Sequence, residues 1–437
     1  MINTGQKLLK KAKKIIPGGN QLLSKRSEMF LPDLWPTYYK SSNGCTVIDL
    51  NNKKYYDFAG MGVTSCILGY ADKDVNKAVN YGLTKGSMST LNCPEEVQLA
   101  EELIKIHPWA DMARFSKSGG EACLIAIRIA RAYSKKEKIA FCGYHGWHDW
   151  YMAANLNNKK NLDEQLLPGL GNKGISKSFK KSIYSFNYND IKSLEKLFTK
   201  HKRKIGIVIM EPMRFTKPKN NFLNKVKKLA KKNGAILIFD EITSGFHENF
   251  GGLHLKFKVN PDMAIFAKAI GNGHPISAVI GKRSIMNCAQ STFISSTMWT
   301  ERLGFIAAVT SLKKMKKLKV QKNLVKFGQK IKDGWQEAAN KSGIRISISG
   351  LDSLPNFKFE YKNKLEISTY FTQEMLALGF LAKEALATTN AYNNLIINKY
   401  LNAVTTVFKK IHYFQKNNIK LPLKGPLKHS TLKRLTY

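Results

Sequence analysis

Acidic residues are scarce in this chain of 437 residues, and so is arginine. The sequence has 31 Asp and Glu against 71 Lys and Arg, a formal net charge of +40, and 10 of the basic residues are Arg. Modules that recognise nucleic acids cluster their basic residues and favour Arg, whereas the 61 Lys here are spread along the chain. We therefore expect no specific nucleic-acid partner, although salt-sensitive adhesion to polyanions should occur.

Paired cysteines and long apolar runs are also lacking. The six cysteines include no C-x-x-C spacing, which is typical of free thiols in a reducing compartment, and we expect a cytoplasmic protein. No apolar run approaches about 18 residues, so no membrane span is expected. No cluster of His, Cys and Asp has zinc-like spacing, so no metal is expected either.

The N-terminal region predicts an amphipathic surface helix. Residues 8–16 place apolar side chains at helical spacing among lysines, and Pro17-Gly18-Gly19 should end the helix. The region lacks the continuous apolar core of a secretory signal, and a transit peptide would usually contain more Arg and Ser.

The middle of the chain alternates apolar runs with helical periodicity. Four runs predict buried strands, at residues 138–142, 205–210, 235–239 and 263–267. Between the second and third runs, residues 222–233 have an apolar stripe at helical spacing, and Gly234 follows as a C-terminal cap. This pattern predicts an α/β fold with a mostly parallel sheet covered by helices.

The two ends of the chain differ from the middle. Both alternate Asn- and Lys-rich loops with short mixed segments, and residues 350–359 are typical of a turn that leads into a strand. We predict a large central domain over residues 59–312. A smaller α+β domain would be built from an N-terminal segment, 1–58, and a C-terminal segment, 313–437.

Polar residues follow three of the predicted strands, where ligands of parallel sheets bind: Glu211, Asp240 with Glu241, and Lys268. Two of them, Asp240 and Lys268, point to a specific chemistry. Asp240 follows the third apolar run and Lys268 follows the fourth. A carboxylate at such a place can hold a protonated ring nitrogen, and a desolvated lysine amine is nucleophilic. Each residue also has a plainer explanation, because Asp is a common helix N-cap and most lysines are surface residues.

A third feature is a possible phosphate site. Ser118-Gly119-Gly120 precedes a stretch with helical spacing, and the open backbone N–H groups at the start of a helix favour an anion. An ordinary capped helix would have the same sequence. The three features together are far more specific than any one of them.

Several segments match one known family in its order over most of the chain. They are Pro17-Gly18-Gly19, residues 118–122, residues 143–146, Phe239-Asp240-Glu241, Gly245-Phe246, Pro261-Asp262, Ala267-Lys268 and Ser296-Thr297. With these segments the chain resembles the class III aminotransferases, which use pyridoxal phosphate (PLP) on the fold type I scaffold, and within them the glutamate-1-semialdehyde aminomutase-like branch. The wider phrases at residues 143–150 (GYHGWHDW) and 295–304 are more similar to sugar-modifying or otherwise uncharacterised aminotransferases.

The resemblance implies roles for individual residues. Lys268 would form the covalent imine with PLP, and Asp240 would pair with the pyridine nitrogen. Tyr144 would stack on the ring, the amides of Gly119 and Gly120 would hold the phosphate, and Thr297 would reach it from the second subunit of a homodimer. Ser118 and His145 are further implied cofactor contacts. The family usually has Thr where Gly120 stands, so one hydroxyl contact is lost here, and backbone donors and Thr297 should hold the phosphate.

Other polar residues have weaker claims. His145 and His148, next to Trp147, could equally be structural hydrogen-bonding residues, and Glu211, Glu241 and His274 are candidates for positions behind the site. Arg302 could bind a substrate carboxylate, although an ion pair is the plainer role. In the aminomutases an Arg shortly after the Pro-Gly-Gly segment binds the substrate carboxylate. The nearest equivalents here, Lys25 and Arg26, do not match that spacing cleanly.

The expected activity is that of a PLP-dependent aminotransferase. It would move an amino group between an amine or amino acid and a carbonyl substrate, either a keto acid, a semialdehyde or a keto-sugar, by a ping-pong mechanism. Glutamate-1-semialdehyde 2,1-aminomutase is the alternative enzyme. A non-catalytic polyanion-binding protein is the alternative from a different class.

Overall fold

The structure is a computed structural model that describes residues 4–158, 160–165 and 169–430. The chain divides into two compact units. The first consists of Met1–Asp72 together with Lys322–Tyr437, and the second, the central unit, of Lys73–Gln321.

The secondary structure of the described residues is as follows. The strands are β1 (Tyr39–Asn43), β2 (Thr46–Asp49), β3 (Lys54–Phe58), β4 (Met112–Ser116), β5 (Lys138–Cys142), β6 (Ile183–Ser185), β7 (Ile205–Met210), β8 (Ile236–Asp240), β9 (Met263–Phe266), β10 (Ser277–Gly281), β11 (Ile346–Gly350), β12 (Pro355–Phe359) and β13 (Phe380–Ala382). The α-helices are α1 (Thr4–Ile15), α2 (Met61–Thr64), α3 (Lys73–Leu83), α4 (Pro94–Ile106), α5 (Gly119–Ser134), α6 (Asp149–Met152), α7 (Ala154–Asn157), α8 (Ile191–Lys200), α9 (Phe222–Lys232), α10 (Leu253–Lys256), α11 (Arg283–Met286), α12 (Arg302–Leu318), α13 (Val320–Ser342), α14 (Lys364–Ala377) and α15 (Asn394–Lys416). Short 3-10 turns span Pro17–Gly19, Leu23–Lys25, Ser27–Met29, Asp163–Gln165, Lys177–Phe179, Lys268–Gly271, Asn287–Ser291 and Thr297–Thr300.

The central unit is built on a seven-stranded sheet in the order β4-β10-β9-β8-β7-β5-β6. Five neighbouring strands, from β9 to β6, are parallel, and β10 runs antiparallel to β9 and β4. The four predicted strands correspond to β5, β7, β8 and β9. All six residues of β7 are buried, because helices cover both faces of such a sheet and the strand needs a continuous apolar run. The predicted α/β class with a mostly parallel sheet is confirmed.

Helices α5 and α9 show why their sequences fold as they do. One face of α5 is made of small and β-branched residues, from Ala122 to Ala130, and is buried against the sheet. The stripe predicted for α9 is also buried, at Phe222, Leu223, Val226 and Ala230, while its lysines face outward. Burial of a side chain of this size typically contributes about 2 kcal/mol relative to leaving it exposed.

The first unit joins the two ends of the chain through a sheet in the order β1-β2-β3-β13. In this sheet β13 pairs in parallel with β3. The core of the unit is rich in aromatic rings, and Phe58 stacks on Tyr400 with the ring centroids 4.0 Å apart. The predicted N-terminal helix is present as α1, with Leu9 and Ala12 buried and Ile15 exposed.

All six cysteines are free, as expected. Across the described ranges, none of the helices combines enough length with enough apolar character to cross a membrane.

Candidate active site

Two neighbouring parallel strands bring Asp240 and Lys268 to the same edge of the sheet. Asp240 is the last residue of β8 and pairs with Ile265 of β9. Lys268 lies three residues further on, where β9 has ended and a 3-10 turn begins. Its φ of +49° is in the left-handed region, which costs a residue with a side chain roughly 1 kcal/mol. Such strain is often found at functional sites.

The Lys268 amine is held in a form suited to nucleophilic attack. Its Nζ donates a hydrogen bond to Thr243 Oγ1 at 3.0 Å. Burial and then the positive charge of Arg214 lower the pKa of Lys268 to about 8, although the carboxylates of Glu211 and Asp240 act in the opposite direction. A larger share of this amine is therefore uncharged at neutral pH than for an ordinary lysine.

The Asp240 carboxylate is buried and accepts hydrogen bonds from several groups. His145 Nδ1 donates to Oδ2 at 2.7 Å, and the Cys123 thiol lies 3.5 Å from the same oxygen. The Ile242 backbone N–H donates to Oδ1 at 3.0 Å, which is the local contact expected if Asp240 were only a cap. His145 Nε2 is buried, and the described residues offer it no hydrogen-bond partner. The Asp240 carboxylate is therefore buried and held in a fixed orientation by donors on both of its oxygens.

The segment after β5 adds an aromatic side chain at the same edge. Tyr144 follows Gly143, and its backbone N–H donates to Glu211 Oε2 at 3.0 Å. Glu211 follows β7, and its Oε2 lies 3.5 Å from Arg214 Nη1. Burial raises the pKa of the Tyr144 phenol, and the charge of Asp240 adds to the shift. A neutral, partly buried ring of this kind can cover the flat face of a cofactor.

The start of α5 has a complete capping box. Ser118 Oγ accepts from the Glu121 N–H at 3.3 Å, and Glu121 Oε2 accepts from the Ser118 N–H at 2.8 Å. The Ser118 hydroxyl also donates to this carboxylate, at 3.0 Å. The hydroxyl and amide of Ser118 are thus engaged within the box. The amides of Gly119 and Gly120 come next, and N–H groups of a first helical turn have no partner within the helix.

Both glycines lie close to neighbouring side chains. A Cβ atom on Gly119 would lie 2.9 Å from Ile242 Cδ1, and one on Gly120 would lie 2.9 Å from His148 Cε1. Ile242 is the residue whose N–H contacts Asp240, so it links the carboxylate to the start of α5. Ile242 therefore lies between the two ends of the predicted cofactor site: the start of α5, where the phosphate is expected, and Asp240, where the ring nitrogen is expected.

Lys25 and Arg26 belong to the first unit, where the Arg26 guanidinium occupies the space that a side chain at Gly18 would need, and their contact with a substrate stays a prediction. Arg302 makes two hydrogen bonds to Glu95, at 2.8 and 3.0 Å, which is the ion pair of its plainer interpretation.

Thr297 is exposed at the start of a 3-10 turn. Two residues later in the same turn, Trp299 Nε1 donates to Glu121 Oε1 at 3.1 Å. This contact fastens the turn to the start of α5 within the same chain.

Sequence reasoning missed Thr243, Cys123 and Arg214. The rule that ligands meet strand ends was applied only to the first polar residue after each strand, and Arg214 lies three positions after Glu211. Extending that rule by one turn of chain would have found Arg214. Cys123 lies on a helix face that the pattern could only describe as apolar.

Comparison with known proteins identifies the family of this chain. Residues 32–411 match the family model of the class-III aminotransferases. The chain belongs to this family. A 3-aminobutyryl-CoA aminotransferase of Cloacimonas acidaminovorans is 31% identical over 361 residues, covering 81% of this chain and 83% of that protein. A glutamate-1-semialdehyde 2,1-aminomutase of Nitrosopumilus maritimus is 32% identical over 381 residues, covering 85% and 87%.

Solved structures share the fold. The PLP internal aldimine form of the FumI protein of Sphingopyxis sp. MTA144 matches with a TM-score of 0.85 at 22% identity, covering 96% of this chain and 99% of that one. An omega-transaminase of Sphaerobacter thermophilus matches with a TM-score of 0.81 at 22% identity, covering 93% and 97%. The predicted family, enzyme class and PLP dependence are confirmed.

The described residues fit PLP. A carboxylate with a buried histidine behind it suits a protonated pyridine nitrogen, two glycines leave room at the start of a helix for a phosphate, and a partly deprotonated lysine lies one strand away. When bound, PLP supplies the sink for the electron pair released at the substrate carbon. Asp240 can keep a proton on the ring nitrogen, and Lys268 Nζ can take up and return a proton at the substrate carbon.

Proposed function

We propose that this class III aminotransferase acts on substrates that carry a carboxylate, so that an amino acid is the donor and an oxo acid the acceptor. The observation that carries the proposal is Arg214. Its guanidinium reaches the Glu211 carboxylate that also holds the Tyr144 backbone, and its charge is the largest one acting on the Lys268 pKa. Its side chain is 30% exposed, so the guanidinium is accessible to an anionic substrate. A guanidinium fork fits a carboxylate better than any other side chain.

The residue roles belong to the same proposal. Lys268 bonds to the cofactor and then moves the proton, Asp240 pairs with the ring nitrogen, and Tyr144 covers the ring. The amides of Gly119 and Gly120 bind the phosphate. These assignments are supported by the shared sheet edge and by the hydrogen bonds that orient each group.

A homodimer is also proposed. The central unit exposes large apolar side chains: Leu91, Trp147, Phe293 and Met298 are each more than half exposed, and Phe293 and Met298 lie within four residues of Thr297 in the chain. Hydrogen bonds from Thr300 to Met88 and from Arg302 to Ser87 hold part of this face together. Apolar surface of this kind supports an interface with a second copy, to which Thr297 would be presented.

The substrate proposal is tested with an Arg214→Gln variant. We expect kcat/KM for amino-acid donors to fall roughly 10- to 100-fold, because a charge-assisted hydrogen-bond pair is lost. Donors without a carboxylate should be affected much less. Lys217→Gln is the matched control, since it removes one positive charge three residues further along on an exposed side chain.

The assay is a spectroscopic screen of amino donors against the purified, PLP-loaded protein, followed by carbonyl acceptors on the aminated form. If Arg214→Gln weakens donors with and without a carboxylate equally, Arg214 does not select the substrate. Conversion of glutamate-1-semialdehyde without a second acceptor would identify an aminomutase instead.

A further inference from the structure

A loop after β5 lies directly on the first turn of α5. Gly146 has a φ of +97°, and a Cβ atom on it would lie 3.1 Å from Gly120 Cα. A Cβ atom on Gly120 would lie 2.9 Å from His148 Cε1 and 3.0 Å from His148 Nδ1. The absence of both side chains therefore lets the His148 imidazole take the place beside the helix start that a side chain at residue 120 would fill.

The His148 ring is held in place, but one of its polar atoms is not satisfied. It stacks on Trp147 with the ring centroids 4.8 Å apart and an angle of 23° between the planes. Its Nδ1 is buried, and the described residues provide no hydrogen-bond partner for it. A buried polar atom without a partner destabilises the folded chain, so it calls for an explanation.

The polar side chains of Lys117 and Ser118, which precede the glycine pair, are already engaged. Lys117 Nζ donates to the Glu301 carboxylate and backbone oxygen, at 2.9 and 2.8 Å. The Ser118 hydroxyl is bound to Glu121. Neither group can turn to a phosphate without breaking a hydrogen bond, whereas His148 Nδ1 has no hydrogen bond to break.

We propose that His148 Nδ1 donates a hydrogen bond to the phosphate of PLP and so replaces the side-chain donor that Gly120 cannot provide. The proposal depends on PLP dependence and on the position of the phosphate at the start of α5. It does not depend on Arg214 or on the substrate, so the two can fail separately.

Cofactor affinity, and not turnover, tests this proposal. The protein is freed of cofactor, and the dissociation constants of PLP and of pyridoxal, which lacks the phosphate, are measured by tryptophan fluorescence. The test variant is His148→Phe, because Phe keeps a flat ring to stack on Trp147 but has no donor. We expect the dissociation constant of PLP to rise about tenfold or more and that of pyridoxal to change less than about twofold.

Three further variants complete the design. His201→Phe is the matched control, because His201 also has a buried ring nitrogen without a partner in the described part of the chain and also packs on an aromatic ring, at 4.1 Å from Tyr184. It should change neither constant. His148→Asn keeps a donor and should recover part of the PLP affinity. Adding Gly120→Thr to His148→Ala should do the same, since the hydroxyl then has the space that the imidazole leaves.

The outcomes separate binding from structure. Equal PLP affinity in His148→Phe and the unaltered protein overturns the proposal. So does a parallel loss for PLP and pyridoxal, because that would show that His148 only shapes the loop. The ³¹P chemical shift of bound PLP gives a second readout, and it should differ between the unaltered protein and His148→Phe but not between the unaltered protein and His201→Phe.

Discussion

Asp240 and Glu241 are consecutive, and the protein uses them in different ways. Both carboxylates are buried, and each is bound by a histidine Nδ1, from His145 at 2.7 Å and from His254 at 2.9 Å. Successive residues at the end of a strand point to opposite faces of the sheet, so the two pairs lie in different surroundings. Composition and burial alone would give the two residues the same description.

The network around Glu241 is closed. Its Oε1 accepts from the backbone and side chain of His254, and its Oε2 accepts from the Ser244 hydroxyl at 2.6 Å. On the other side of the imidazole, Trp109 donates to His254 Nε2 at 3.1 Å. Although burial raises the pKa of Glu241, the hydrogen bonds from His254 and Ser244 outweigh it and lower the pKa overall.

The network around Asp240 ends without closing. His145 Nε2 has no hydrogen-bond partner among the described residues, and the Cys123 thiol is a weak donor at 3.5 Å. The charge of Asp240 also reaches Lys268 and Tyr144. Both sites contain a buried carboxylate–histidine pair, so the presence of the pair does not distinguish them. The difference is that a ring nitrogen of the Asp240 pair lacks a hydrogen-bond partner among the described residues, and this marks it as the candidate cofactor contact.

The largest effect is expected for Asp240→Asn. Loss of the negative charge removes the partner of the protonated ring nitrogen, and turnover should fall by about 100- to 1,000-fold, as for other preorganised electrostatic contacts. The fold should change little, because the Asn Oδ1 can still accept from the Ile242 N–H and the Asn amide nitrogen can donate to His145 Nδ1 once that imidazole takes its other tautomer. Steady-state rates at saturating PLP check this, and near-normal turnover would show that Asp240 is only a turn-forming residue.

Glu241→Ala is expected to show the reverse behaviour. It leaves the buried N–H groups of His254 and the Ser244 hydroxyl without their acceptor, and breaking a buried pair in this way typically costs about 3 kcal/mol, so the thermal midpoint of the PLP-loaded protein should fall by roughly 5 °C or more. Turnover per PLP-loaded molecule should remain close to that of the unaltered protein. A variant that keeps its thermal midpoint but loses turnover would show that Glu241 takes part in the reaction, and the two carboxylates would then not differ in role.

The sequence could predict the frame of this site but not its inner contacts. Apolar runs located β5, β7, β8 and β9 to within a residue at each end, because buried parallel strands must be continuously apolar. Strand-end logic then selected Asp240 and Lys268. Periodicity could not show that Ser118 is engaged with Glu121 or that His148 lies on Gly120, because such contacts depend on how loops meet across the sheet edge.

The same limit applies to substrate contacts. Lys25 and Arg26 were chosen by their distance from the Pro-Gly-Gly segment and stay predictions, but sequence spacing did not point to Arg214, which follows a strand at the edge where Asp240 and Lys268 meet. Spacing along a chain does not report which strand ends are neighbours. The order of strands in the sheet does, and one sequence does not contain it.

The smallest effect concerns the titration of Lys268. Only the uncharged amine reacts with electrophiles. With a pKa of about 8, labelling of Lys268 by a small amine-reactive reagent should reach half its maximum near pH 8 and rise about tenfold between pH 7 and 9. Peptide mass spectrometry of the cofactor-free protein separates the labelling of Lys268 from that of the other lysines.

The two carboxylates should differ in this experiment as well. Asp240 raises the pKa of Lys268, so Asp240→Asn should move the midpoint to lower pH, whereas Glu241→Gln should leave it in place because its charge is absorbed by His254 and Ser244. A midpoint near that of an ordinary lysine would show that the amine is not desolvated. Equal shifts in both variants would mean that both carboxylates act on the Lys268 amine. The two hydrogen-bond networks would then not differ in their effect on Lys268 Nζ, the atom that reacts.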